Sequence, residues 1–123
     1  MNYKIDTKEN FDIITPQIAM LTSTLTDELS ILINKSREHD KSVIIDFTQV
    51  NEIPEEFVDL LTQTHETMYL DNFSFVLCQV GGNLKKQIQD ADLEDSLNIA
   101  PTLIEAIDIV SMEVLERELL GGE

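Results

Sequence analysis

The sequence predicts an α/β domain, a mixed β-sheet with helices packed on it. Strand-like and helix-like runs alternate along the chain, and two of the strand-like runs are apolar almost throughout. Those two, Val43–Phe47 and Phe73–Val80, have the character of strands buried on both faces of a parallel sheet. A chain of 123 residues has the size of one domain and can bury a core without disulfide or metal staples, so residues 1–123 are read as a single unit. With 42% hydrophobic and 26% charged residues, a folded chain is expected rather than a disordered one.

From the start, Tyr3 to Thr7 alternates apolar and polar residues. Phe11 to Thr15 is a second β-prone run, and Lys8-Glu9-Asn10 makes the hairpin turn between them. Pro16 marks where the second strand ends or becomes an edge. From Thr24, Leu25, Leu29, Leu32 and Ile33 recur at helical spacing, with Asp27 and Glu28 in the opening turn where the helix dipole favours acid; this helix reaches about Arg37. Ser42–Phe47 is then the central strand. Pro54 fits the first turn of the next helix, whose inner face is Phe57, Leu60, Leu61, Thr64, His65 and Met68, down to about Tyr69.

After the Asp71-Asn72 turn, Phe73–Val80 is a strand lying beside and parallel to Val43–Phe47. Gly81-Gly82-Asn83 breaks it, and Asn83 caps a short helix that turns Leu84, Ile88 and Leu93 inward. Asp90, Asp92, Glu94 and Asp95 form a solvated acidic loop, and a short strand falls near Leu97–Ile99. The last helix begins after Pro101, with Thr102 as N-cap and Glu105 completing a capping box, and runs to about Leu120.

Twenty-four acidic against eight basic residues give a net charge of -16, which repels nucleic acid and anionic lipid, both of which are bound through Lys and Arg. The charge serves solubility and, equally, would steer a basic partner. The N-terminus has no basic segment followed by an apolar stretch, and no apolar run approaches the ~20 residues that span a bilayer. A cytoplasmic protein with no membrane insertion is expected. Cys78, inside Phe75-Val76-Leu77-Cys78, reads as a buried inert thiol, in keeping with a reducing compartment.

Catalytic and metal-binding patterns fail one by one. His65-Glu66 begins like a zinc-protease helix, but Tyr69 stands where the second His is needed, and His39 belongs to a polar turn. Gly81-Gly82-Asn83-Leu84-Lys85-Lys86 opens a helix after a strand but fits neither phosphate-binding glycine pattern, so a plain turn is expected. No nucleophile has an evident base. Neither catalytic residues nor a metal or cofactor are assigned, and an enzyme is the least supported class.

At Val43-Ile44-Ile45-Asp46-Phe47-Thr48-Gln49-Val50-Asn51-Glu52-Ile53 the chain resembles the STAS family of sulfate transporters and anti-sigma-factor antagonists: a buried strand ending in Asp, a turn, and an apolar residue leading into a helix. The opening hairpin, Phe75-Val76-Leu77 with its Gly-containing turn, Leu93-Glu94-Asp95-Ser96-Leu97 and Thr102-Leu103-Ile104-Glu105-Ala106-Ile107 extend the resemblance in order over nearly the whole chain. It implies the STAS-like fold and a bacterial, cytoplasmic module of transcription regulation that works by protein–protein interaction.

The departure lies at the start of the helix after the central strand. Anti-sigma-factor antagonists have Asp-Ser-Ser-Gly there, and a kinase-type anti-sigma factor phosphorylates the second Ser to release the partner. This chain reads Pro54-Glu55-Glu56-Phe57, which puts Glu56 at the phosphoacceptor position. Glu offers one negative charge and two acceptor oxygens, against about -1.5 to -2 and three for phosphoserine, so it mimics the phosphate in part; acids also suit a helix's first turn on dipole grounds alone. Phe57 replaces a Gly that allows close backbone approach, and its ring has either the core or a docking partner to face.

The resemblance implies a partner docked over Asp46, Thr48, Asn51, Glu52, Glu55, Glu56 and Phe57, namely a kinase-type anti-sigma factor. The rival expectation is a non-catalytic structural or scaffolding subunit of a regulatory or transport complex. In the last helix, Leu103, Ala106, Ile107, Val110 and Val114 make the core stripe. Met112, Leu115, Leu119 and Leu120 lie partly off it, leaving a surface for a homodimer or for partner docking, unless they wrap over the sheet edge or fray before Gly121-Gly122.

Overall fold

The computed structural model describes residues 2–121, so the limits of the domain at 1 and 123, and Gly122, lie outside the described residues. Nine elements follow the expected order: β1 (Tyr3–Thr7), β2 (Phe11–Pro16), α1 (Ser23–Glu38), β3 (Ser42–Asp46), α2 (Glu55–Leu70), β4 (Phe75–Cys78), α3 (Gly82–Asp90), β5 (Asn98–Ala100) and α4 (Leu103–Gly121). The five strands form one sheet in chain order, β1-β2-β3-β4-β5. Only the hairpin pair is antiparallel, with Tyr3 opposite Pro16, and every later pair is parallel. Central β3 pairs with β4 through Ile44 opposite Val76 and Ile45 opposite Leu77, and α2 joins the two strands.

Successive residues of a strand point to opposite faces of its sheet, and in β2, β3 and β4 both faces are apolar. Ile14, Val43, Ile45, Phe75 and Leu77 meet α1, α2 and α3 through Leu25, Leu29, Ile33, Phe57, Leu61, Met68, Leu84 and Ile88. Ile13, Ile44, Val76 and Cys78 face the other way, where Ala106 and Val110 of α4 cover them. Three helices therefore pack on one side of the sheet and one on the other, which explains the unbroken apolar runs in the sequence.

The boundaries differ from expectation for local reasons. Thr22 caps α1, ahead of the start read at Thr24: its hydroxyl accepts the Leu25 N–H at 3.1 Å. The helix thus starts earlier, and Asp27 and Glu28 fall beyond its first turn, which holds no acid. Pro54 is the N-cap of α2 and lies outside its first turn.

β4 is shorter at both ends than the run Phe73–Val80. The Phe73 N–H turns back to the Met68 carbonyl at 2.8 Å, and Gln79 at φ 57° ends the ladder in the left-handed region. Gly81 takes the capping position of α3 that Asn83 was expected to fill. β5 lies one residue later than the Leu97–Ile99 reading. Thr102 does cap α4, its hydroxyl accepting the Glu105 N–H at 3.2 Å.

Candidate functional site

The residues singled out in the sequence gather at the C-terminal ends of β3 and β4. Asp46 closes β3 with a side-chain turn: its Oδ1 accepts the Thr48 N–H at 3.0 Å and the Thr48 hydroxyl at 2.6 Å. The Phe47 N–H continues the ladder to the Cys78 carbonyl at 2.9 Å, and the Val50 N–H reaches the Phe47 carbonyl at 3.0 Å, so the chain folds back at once. The Phe47 ring then meets Phe57 edge to face, with centroids 6.1 Å apart and planes at 88°. Of the two directions open to Phe57, the structure takes the core: its side chain is fully buried.

The loop from Thr48 to Ile53 is strapped on both sides. On the β2–α1 side, the Ala19 carbonyl accepts the Asn51 N–H at 2.7 Å and the Glu52 N–H at 3.2 Å, and the Leu21 N–H donates to the Glu52 carbonyl at 3.1 Å. On the α3 side, Asn83 Nδ2 donates to the Asn51 carbonyl at 2.9 Å, and Gln87 bonds both backbone groups of Ile53. Asn83 and Gln87 thus position the loop, a role their sequence neighbourhood does not reveal because their partners lie 32 and 34 residues away.

Glu55 and Glu56 form the first turn of α2, at the positive end of the helix dipole, and Pro54 supplies no side-chain cap in front of them. The Ser23 hydroxyl, at the first residue of α1, donates to Glu56 Oε1 and ties the two helix starts together. Thr48, Asn51, Glu52, Glu55 and Glu56 are exposed, whereas Asp46 and Phe57 are buried beneath them. Beside them a groove of about 510 Å³ runs between α2 and α3, with Val58 and Leu93 in its wall and Glu55, Asp59 and Asp90 on its rim. The rim is acidic.

Burial, with the Asp46 carboxylate as a second cause, pushes the Cys78 thiol up to about 12, which keeps it protonated at neutral pH. His65 is half-buried on α2, and its Nδ1 has no hydrogen-bond partner. Among the described residues no His, Cys, Asp and Glu side chains cluster in a way that holds a metal ion, and no helix is long and apolar enough to cross a membrane.

The family model described as STAS domain matches residues 4–106. Among solved structures, the fold is similar to the anti-sigma factor antagonist SpoIIAA of Bacillus in its unphosphorylated form, with TM-score 0.75 at 16% identity over 89% of this chain and 96% of that one. It is similar to an RsbS of Moorella thermoacetica carrying a serine-to-glutamate substitution (TM-score 0.74, 14% identity, 90% and 96% covered). A sulfate transporter family protein from Wolinella succinogenes also matches (TM-score 0.70, 15% identity, 83% and 85% covered). A sequence comparison with curated proteins finds no match.

Proposed function

The chain belongs to the STAS domain family, and on that premise we propose that it acts by binding another protein over the Thr48–Ile53 loop and the first turn of α2, without catalysis. The observation that carries this reading is the exposed Glu56 carboxylate in the first turn of α2, held by the Ser23 hydroxyl, which we take as the counterpart of the family's phosphoacceptor. A position that cycles between hydroxyl and phosphate in an antagonist carries a fixed single negative charge here. The strapped loop supports the reading, because a surface already ordered by Ala19, Asn83 and Gln87 loses little freedom on docking.

The partner proposed is a kinase-type anti-sigma factor in the cytoplasm, and the acidic rim of the α2–α3 groove suits a basic surface on it. A scaffolding subunit of a regulatory or transport complex is the second reading. The missing hydroxyl favours it, since assembly needs no phosphate cycle.

Affinity capture with mass spectrometry separates the two: an ATPase of the histidine-kinase type among the bound proteins supports the first reading. With that kinase and ATP, the wild-type chain is expected to stay unphosphorylated, and Glu56→Ser to bind the kinase more tightly. Stoichiometric phosphate on a wild-type Ser or Thr at this turn overturns the proposal.

A further inference from the structure

The outward side of α4 is apolar and acidic at once. Ile104, Met112, Leu115 and Leu119 are 73%, 62%, 55% and 70% exposed, although the helix already buries Ala106 and Val110 against the sheet. The intervals of three and four residues from Met112 to Leu115 to Leu119 line these side chains up along one ridge, opposite the core stripe. On a helical projection Asp108 interrupts the ridge, Glu118 lies along one edge, and Glu105 and Glu116 lie along the other. All four acids are exposed.

Among the described residues no ion pair answers them. The one basic residue of α4, Arg117, is turned inward, where its Nη2 donates to the Ser74 hydroxyl at 2.7 Å while that hydroxyl donates to Glu113 Oε1 at 2.5 Å. The last turn of α4 contains no basic residue, so Glu118 sits at the negative end of the helix dipole. This reverses the usual arrangement, which α1 follows with Lys35 and Arg37 in its last turn.

The charges select the occupant. Two copies of this ridge would set carboxylates against carboxylates, an arrangement that opposes association, and an anionic lipid surface is repelled for the same reason. We propose that the outer face of α4 docks a basic amphipathic helix of a partner protein, one with apolar residues at intervals of three and four flanked by Lys or Arg. The apolar ridge supplies contact area, the carboxylate edges supply register and sign, and a cation placed near Glu118 relieves the dipole. This face lies across the sheet from the Thr48–Ile53 loop, so the proposal stands independently of the function assigned to that loop.

A synthetic Leu/Lys amphipathic peptide of about 18 residues, long enough to cover the helix, tests it by titration into the isotope-labelled full chain. Amide shifts at Met112, Leu115 and Leu119 are expected. Binding should fall about tenfold or more with Leu115→Glu plus Leu119→Glu, and also with Glu105→Gln plus Glu116→Gln plus Glu118→Gln. A Leu/Glu peptide with the same apolar face, and a scrambled Leu/Lys peptide of the same charge, should bind at least tenfold more weakly.

All five substituted positions are exposed, and unfolding curves confirm that the variants stay folded. The proposal fails if the scrambled peptide binds equally, or if shifts are confined to the α2–α3 groove. It fails too if the wild-type chain sediments as a dimer that Leu115→Glu plus Leu119→Glu makes monomeric, which would assign the ridge to a second copy.

Discussion

Gln87 holds both backbone polar groups of Ile53: its Nε2 donates to the Ile53 carbonyl at 3.0 Å, and its Oε1 accepts the Ile53 N–H at 3.1 Å. One side chain of α3 therefore replaces the neighbouring strand this loop lacks. Gln87→Ala leaves two backbone groups without partners next to a buried Ile53 side chain, and should cost about 1–3 kcal/mol in urea unfolding. Hydrogen exchange at the Ile53 amide should accelerate. Gln87→Glu keeps the acceptor for the Ile53 N–H but sets a carboxylate oxygen against the Ile53 carbonyl, so it should not restore the stability of the glutamine.

Glu56 and Phe57, proposed above as the counterparts of the family's Ser-Gly, are expected to separate cleanly. Glu56→Ser changes an exposed side chain and should shift stability by no more than about 0.5 kcal/mol. Phe57→Gly removes a fully buried ring packed on Phe47 and should cost roughly 3–5 kcal/mol, measured by the same denaturation. Restoring both family residues at once should therefore damage the fold through the glycine alone.

Cys78 sets a pH dependence. Its thiol is raised in the folded state to about 12 from 9.0, first by burial and second by Asp46, so the unfolded chain releases the proton at lower pH. The contribution is fully present below about pH 9. It is lost as pH rises toward 12, at up to about 1.4 kcal/mol per pH unit. Cys78→Ala should lack this component of the alkaline fall when unfolding is followed from pH 8 to 11. Asp46→Asn removes the second cause and should lower the thiol pKa, read from the ultraviolet absorbance of the thiolate against pH.

Asp12 on β2 is buried, and its Oδ2 accepts the Ser36 hydroxyl of α1 at 2.6 Å, while its Oδ1 has no partner. Ser36→Ala should cost about 1–3 kcal/mol, because it strips the bond and leaves the acid buried. In a double-mutant cycle with Asp12→Val, the second change should cost less than it does alone. Strict additivity of the two would show that the hydrogen bond contributes nothing.

The strands, their succession along the chain, and the pairing and two faces of β3 and β4 were legible because a strand covered on both sides leaves an unbroken apolar run, as Val43–Phe47 does. Helix faces were legible too, since Leu25, Leu29 and Ile33, and later Ala106 and Val110, keep the helical period. Boundaries were less so. Thr22, Ser23 and Thr24 carry interchangeable capping hydroxyls, and only the contact from the Leu25 N–H to Thr22 distinguishes them.

Gln79 ends β4 with a positive φ that its side chain does not announce. In the candidate site, Asp46 and Thr48 act on each other two residues apart and could be read locally. Ser23, Asn83 and Gln87 act across more than 30 residues, so their roles appear only once the helices are placed.

The strand order has a kinetic consequence. Each strand joins the sheet beside the one made just before it, so the sheet is able to grow vectorially at one edge as synthesis proceeds from the N-terminus. The face formed by Ile13, Ile44, Val76 and Cys78 has no such order, because the described helix residues buried against it come from α4, which follows all five strands in the chain. During synthesis, then, the growing sheet presents a bare apolar flank to whatever is nearby until α4 emerges to cover it.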